Sequence, residues 1–381
     1  MIVPGVHQPP RHGSVDPMTQ ATSSTATSPL TRPVRIGLVG YGFGGSTFHA
    51  PLITSAPALE LVGVLTSDPA RVARLATDHP GVPALPTLEA LVEAGAEAVA
   101  ISSPSGTHSA MTERALELGL HVVCDKPFAV DAPAAAVTIE KAEALRRVVS
   151  VYQNRRWDSD FLTVRRLLAA GDLGDIHRYE SRVERWAPAA DPSSWKAGAT
   201  PAQGGGMRLD LLTHLVDQAV VLFGPVASVY AELDIRRAGS AADDDDMLAL
   251  HHVNGVRSHL ITSKVSGDTS RRIRVNGSAG AYVVNGFDGQ EAELIAGRTP
   301  LTEGDSWGVE APSAWGRIVR GDLSEPVESE RGRWDTYYPA FAAAVRGEGP
   351  VPVEPREALR VLEILDAAVV SARENRIVTL A

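Results

Sequence analysis

"VRIGLVGYGFGGSTFHAPLI" (residues 34–53) is the stretch on which the fold turns. An apolar run enters a glycine pattern, Gly40-x-Gly42-x-x-Gly45, with Phe43 and Gly44 inside it, and a helical segment follows. Each glycine has a physical task in a strand-turn-helix that holds a dinucleotide. Gly40 permits the tight turn, Gly42 lets the backbone approach a pyrophosphate, and Gly45 lets helix and strand pack closely. The helix N-terminus then faces the phosphate charge. Pro51 marks the first turn of this helix or a kink in it.

Outward from this turn, short apolar runs alternate with helical patterns as far as residue 152. "LELVGVLT", "AEAVAISS", "LHVVCD" and "VVSVY" read as strands; "PARVARLATD", "TLEALVEAG" and "SAMTERALELG" read as helices. Strands with little polar alternation are covered on both faces, so this half is a doubly wound parallel α/β sheet, a Rossmann dinucleotide-binding domain over residues 34–155. The second strand ends in "GVLTSDPARV", with Thr66 and Ser67 where a carboxylate would hold the ribose 2′-hydroxyl of NAD. Without that carboxylate a 2′-phosphate meets no repulsion, and the hydroxyls and Arg71 can bind it. NADP is therefore favoured, and Asp68, close by, keeps NAD as the alternative.

After Asn154 the pattern changes. "DSDFLTVRRLLAAG" reads as a helix, "HRYESRVERW" as a strand, and strand-like runs separated by short turns fill residues 225–298. Two helices close the chain, "TYYPAFAAAVRG" and "PREALRVLEILDAAVVSARE", the second with Pro355 at its start. Residues 156–381 are expected to form an α+β domain with a large open, mostly antiparallel sheet that binds substrate and makes the oligomer. Residues 1–33, rich in Pro, Ser and Thr, are expected to be a disordered tail, with Met18 as an alternative start.

The bulk composition excludes several classes. At 44% hydrophobic and 22% charged, with a formal net charge of −10, the 381-residue chain lacks the basic surface that nucleic acid or anionic lipid requires. No apolar window is long enough for a membrane helix and no signal-type segment is evident, so the expected compartment is the cytoplasm. One cysteine, Cys124, excludes an internal disulfide or a multi-cysteine metal site and is expected in a buried strand. No metal set is found: His251, His252 and His259 are expected to be structural, and the aspartates at 243–246 a solvated loop.

Two stretches carry chemistry. "LHVVCDKPFAV" (residues 120–130) puts Asp125, Lys126 and Pro127 just beyond a strand's carboxyl end, the edge where open α/β sheets bind ligands. "GGGMRLDLLTHLVDQ" (residues 204–218) opens an amphipathic helix over 207–223 that puts Asp210, His214 and Asp217 on one face. A histidine beside a carboxylate is a proton shuttle near neutral pH.

Together with "ISSPSGTHSAMTERALELGLHVVCDKPF", "SVYQNRRWDSDF", "GDLGDIHRYESRVERW" and "EALRVLEILDAAVVSAREN", these stretches resemble the glucose-fructose oxidoreductase, inositol dehydrogenase and rhizopine-catabolism (Gfo/Idh/MocA) oxidoreductases, from Val34 to the C-terminus. The "FHAPLI" and "YQNRRWDSDF" wording is nearest the branch that contains NADP-dependent scyllo-inositol dehydrogenases. The resemblance implies a catalytic lysine at Lys126 and an Asp/His pair at Asp210 and His214. It also implies that Ser103, Pro104 and His108 line the nicotinamide side, that Asn154 and Arg155 lie near the substrate, and that the assembly is a homodimer or homotetramer. The family's Glu-Lys-Pro motif begins here with Asp125, which puts the bonding around the cofactor ribose in question. Arg185, Trp186 and Trp195 are expected to set specificity for a polyol or sugar. In the expected reaction His214 takes the hydroxyl proton, Lys126 stabilises the developing charge and Asp210 positions one of them, with Lys126 as the alternative immediate base. Two alternatives stay open, a non-catalytic NADP-binding sensor, for which a proton-transfer group has no use, and a reductase of another sugar-derived ketone.

Overall fold

In the computed structural model, residues 32–191, 198–269 and 271–380 are described. The tail as far as residue 31, and Trp195, lie outside the described residues. Strand β1 (Val34–Val39), apolar and buried apart from Arg35, lies inside the first sheet with a partner on each edge. It pairs in parallel with β2 (Leu59–Leu65) and with β4 (Ala98–Ile101). With β3 (Ala84–Leu85), β5 (His121–Asp125) and β6 (Val149–Tyr152) it makes a six-stranded parallel sheet in the order β3-β2-β1-β4-β5-β6. The order reverses between β1 and β4, and that reversal opens a crevice at the strands' carboxyl ends.

The covering helices are α1 (Ala50–Thr54), α2 (Pro69–Asp78), α3 (Leu88–Glu93), α4 (His108–Glu117) and α5 (Ala132–Ala144). Pro51 sits in the first turn of α1, directly after a π-helical turn over Gly44–His49. Helix α5 was absent from the sequence reading. Its alanine-rich face gives little periodic contrast, and its start is marked by Asp131, which accepts the Ala134 N–H at 2.9 Å. Cys124 is buried in β5, as expected.

The second sheet has nine strands in the order β14-β13-β12-β11-β7-β10-β9-β8-β15. These are β7 (Ile176–Glu184), β8 (Val226–Asp234), β9 (Asp245–His252), β10 (Arg257–Ser263), β11 (Arg271–Gly277), β12 (Gly280–Asn285), β13 (Gly316–Arg320), β14 (Leu323–Val327) and β15 (Val378–Thr379). All neighbours are antiparallel except β7 and β10. Three strands lie beyond the expected limit near residue 298, and 290–295 is helical. On the buried face lie α6 (Ser159–Ala170) and α7 (Thr213–Phe223), the latter entered through a π-helical turn over Arg208–Leu212. Helix α8 (Gln290–Ile295), helix α9 (Tyr337–Val345) and helix α10 (Pro355–Glu374) follow. Helix α10 packs on α5 and β6 as well as on α7 and β8, so the closing helix touches elements of both sheets. Among the described residues no helix is long and apolar enough to cross a membrane, and no cluster of His, Cys, Asp or Glu is placed to hold a metal.

Two sequence expectations need correction. The aspartates at 243–246 are not a solvated loop: Asp244 and Asp246 are buried, the latter 3% exposed. Asp243 accepts the Arg208 N–H at 2.6 Å and Asp244 accepts the Arg237 Nε–H at 3.1 Å. Burial and the neighbouring Asp243 push the Asp246 carboxyl up to about 10, so it stays protonated at neutral pH. Asp217 does not join the face of Asp210 and His214. Its buried carboxylate takes two bonds from Arg156, at 2.7 and 2.8 Å, because an unpaired charge there would carry a large desolvation cost. His252 is structural as expected, bonded to Ser258 Oγ at 2.8 Å.

Removing Arg156 strands that carboxylate in the interior. Arg156→Ala should lower the unfolding free energy by about 3 kcal/mol or more, read from urea denaturation. A loss under about 1 kcal/mol would mean that water reaches Asp217.

Candidate active site

A cavity of about 600 Å³ opens at the carboxyl edge of the parallel sheet, a size suited to a small-molecule ligand. The glycine turn forms one wall. Gly40 has φ +92°, and a Cβ there would stand 2.6 Å from the Ser102 carbonyl oxygen. A Cβ at Gly45 would collide with the Gly40 carbonyl oxygen, so the close packing assigned to it is real, although Gly45 itself lies behind the cavity wall. A Cβ on Gly42 would meet no protein atom within 4 Å. Gly42, Phe43 and Gly44 face the cavity, and a substituent at Gly42 would fill the space a phosphate needs. This cradle fits a dinucleotide.

Thr66, Ser67 and Arg71 line the same cavity. Asp68 also reaches it, but its carboxylate caps α2, accepting the Ala70 and Arg71 N–H groups at 2.9 and 3.0 Å. The Arg71 guanidinium has no hydrogen bond or ion pair among the described residues.

On the opposite side, Lys126 projects from the end of β5. Its ammonium donates to the Asp210 carbonyl at 2.7 Å and to Asp210 Oδ1 at 3.2 Å. His214, only 4% exposed, also lines the cavity. Its Nδ1–H donates to Gln153 Oε1 at 3.0 Å, leaving the Nε2 lone pair free of protein partners among the described residues. Burial, with the positive charges of Lys126 and Arg155 beside it, pushes its pKa well below the usual 6.5, against the opposing pull of Asp210. His214 is therefore neutral at physiological pH and able to accept a proton.

Asp125 is occupied within the protein. It accepts the Lys126 N–H at 2.8 Å and the Ser102 hydroxyl at 3.1 Å, and His49 Nε2 lies 3.3 Å away. Burial opposes its charge, yet His49, Lys126 and His108 together hold its carboxyl down at about 2. Asn154 and Arg155 line the far end, where Arg155 pairs with Asp158 at 3.2 Å and Glu291 at 3.1 Å.

Ser103, Pro104 and His108 also line the cavity, but His108 is not free to bind a ligand through nitrogen. Its Nδ1 is 2.7 Å from the Pro127 carbonyl and its Nε2 is 2.9 Å from the Ser103 carbonyl. Only an imidazolium donates to two carbonyls. Burial works against that charge, but Cys124, Asp125 and the Pro127 carbonyl outweigh it and hold the pKa up at about 9. His108 braces the Ser103 loop against the lysine turn. Trp186 also departs from the expectation: it is 61% exposed, forms a bridge with Val265 and does not line the cavity. Arg185 does, because successive side chains on extended chain point to opposite faces. Sequence reasoning missed Ser102, Gln153, His49 and Glu291; the first three lie within the motifs above, but none has a spacing that marks a role.

The His108 charge has a measurable consequence. A raised folded-state pKa contributes stability in full below about pH 6.5 and loses it as pH climbs through about 9. Wild-type unfolding free energy should fall over that interval, and His108→Gln should fall less steeply; parallel profiles from chemical denaturation would show that His108 is neutral.

With this geometry in view, the comparisons with known proteins agree. The family described as "Oxidoreductase family, NAD-binding Rossmann fold" matches residues 34–153, and "Oxidoreductase family, C-terminal alpha/beta domain" matches residues 165–380. The chain is 36% identical over 352 residues to the oxidoreductase YdgJ of Escherichia coli (strain K12), covering 91% of this chain and 99% of that one. It is 32% identical over 359 residues to the scyllo-inositol 2-dehydrogenase (NADP(+)) IolW of Bacillus subtilis (strain 168), covering 91% and 96%. The solved structure of the oxidoreductase yvaA from Bacillus subtilis superposes with a TM-score of 0.85 at 31% identity, covering 91% and 98%. The glycine cradle, the lysine at the sheet edge and these matches make the chain a member of the Gfo/Idh/MocA oxidoreductase family, a nicotinamide-dependent dehydrogenase acting on CH–OH groups.

Proposed function

We propose that this dehydrogenase uses NADP to oxidise a secondary alcohol of a cyclic polyol or sugar, with scyllo-inositol as the reference substrate. The observation that carries the reading is the pairing of the Lys126 ammonium, held by Asp210, with a neutral His214 in the cavity that the glycine turn also lines. The bound nicotinamide would supply a hydride acceptor. The residues of the chain do the rest. His214 Nε2 takes the hydroxyl proton, and its tautomer is held by Gln153. The Lys126 ammonium donates to the same oxygen and stabilises the charge that develops on it, while Asp210 positions the lysine. In the reverse direction His214 returns the proton.

The preference for NADP is supported by Thr66 and Ser67 at the end of β2, by the unpaired Arg71 and by the commitment of Asp68 to its helix. The name of the relative IolW, with its NADP(+), agrees. In this reading the division between cofactor and substrate halves falls near residue 155, and the enzyme works in the cytoplasm as a homodimer or homotetramer.

The direct test is the initial rate of nicotinamide reduction with scyllo-inositol, myo-inositol and aldoses, with NADP and NAD in parallel. Turnover with NADP preferred is expected; failure on every polyol and sugar, with nucleotide binding intact, would remove the substrate assignment. His214→Ala should cut kcat by about 100-fold or more while NADPH binding, followed by tryptophan quenching, persists. Because the His214 pKa lies below 6.5, oxidation should hold its rate on acidification past that value and fall only as His214 protonates. Arg71→Ala should raise KM for NADP by about tenfold or more and leave that for NAD little changed; equal effects on both would detach Arg71 from the 2′-phosphate.

A further inference from the structure

The substrate end of the cavity holds a positive charge that no described residue compensates. Arg185, just past the end of β7, lines this wall, with its backbone N–H bonded to the Ser263 carbonyl at 2.8 Å. Its guanidinium lies 5.8 Å from the centroid of the Phe287 ring, and that of Arg155 lies 5.7 Å from the same centroid. The two cations differ in their partners. Arg155 is neutralised by Asp158 and Glu291, and Lys126 by Asp210. The Arg185 side chain has no hydrogen bond or ion pair among the described residues. Glu291, a carboxylate that also lines the cavity, is bonded to Arg155.

In a chain of formal net charge −10, an uncompensated cation inside a concave site is a feature to be explained. Arg185 lines this wall while staying solvent-exposed, so an incoming anion can reach its guanidinium. Guanidinium offers donors and no acceptor, so its complement is a group that only accepts, and its planar fork matches the two oxygens of a carboxylate or phosphate. The Phe287 ring, 5.8 Å away, is a cation–π neighbour that favours this position of the guanidinium before a ligand arrives. A polyol hydroxyl, donor and acceptor at once, uses this group poorly.

We infer that Arg185 is the anchor for an anionic substituent, a carboxylate or a phosphate ester, and that the preferred substrate is an acidic polyol or sugar. The inference rests on the dehydrogenase reading above and narrows it. The anion sits on Arg185 while the secondary alcohol reaches Lys126 and His214.

The test compares a neutral sugar with its uronic acid and its phosphate ester, with NADP and the full-length enzyme. Wild-type kcat/KM should favour one of the acidic compounds by about tenfold or more. Arg185→Gln should lose about 10- to 100-fold on that compound, chiefly in KM, and Arg185→Lys should restore part of it. Which compound responds distinguishes carboxylate from phosphate. A preference for the neutral sugar, or an acid-to-neutral ratio that Arg185→Gln does not change, would overturn the inference and leave the dehydrogenase reading standing. Calorimetric titration of the uronate and the phosphate ester onto both proteins needs no turnover. If nothing is oxidised the polyol reading falls, yet binding lost in Arg185→Gln still supports the anion site, and binding absent from wild type or equal in both refutes it.

Discussion

One ammonium ties the active cavity together. Lys126 leaves the carboxyl end of β5 and bonds both the main-chain carbonyl and the carboxylate of Asp210, 84 residues further along the chain. Asp210 lies in a π-helical turn, whose wider ring leaves carbonyls less fully used by the helix itself. The ion pair therefore does two things. It fixes the entry to α7, and with it His214, against the parallel sheet, and it sets a positive charge beside the buried imidazole. The charge helps to keep that imidazole neutral.

Legibility in the sequence followed the range of the interactions. The glycine turn could be read because its requirements are local: a positive φ at Gly40 and a close approach at Gly45 leave glycine as the residue that fits. Five of the parallel strands were equally clear from apolar runs, whereas β3, two residues long, shows no such run. Asp210 and His214 were found from spacing, but the same spacing wrongly recruited Asp217, since periodicity says which residues share a face and nothing about Arg156, brought in from another element. The aspartates at 243–246 misled for the same reason. A run of like charges looks solvated until backbone N–H groups such as that of Arg208 are known to point at it. Trp186 and Arg185, adjacent in sequence, were treated as a pair, and the pleat of the extended chain separates them.

Charge pairing across the cavity sorts its residues by use. Arg155, Arg156 and Asp158 are satisfied by protein partners and hold the wall in shape. Arg71 and Arg185 are satisfied by none among the described residues, and they belong to the two ends of the cavity, one beside the residues that end β2 and the other beside the substrate wall. Both guanidinium groups face a cavity in a chain of formal net charge −10, which sets them apart from the paired arginines of the wall.

The replacement of the family's glutamate by Asp125 fits the same logic. A shorter carboxylate reaches less far into the cavity, and here it is drawn back by the Ser102 hydroxyl, the Lys126 N–H and His49. His49 in turn lies 2.6 Å, through Nδ1, from the Tyr338 hydroxyl on α9, and its ring packs against Tyr152. Asp125 thus joins the ends of β4 and β5, the π-helical turn after the glycines and a helix near the C-terminus into one hub of fixed charge. These bonds tie the segment that follows the glycine turn to the base of Lys126, so that two walls of the cavity are held by one carboxylate.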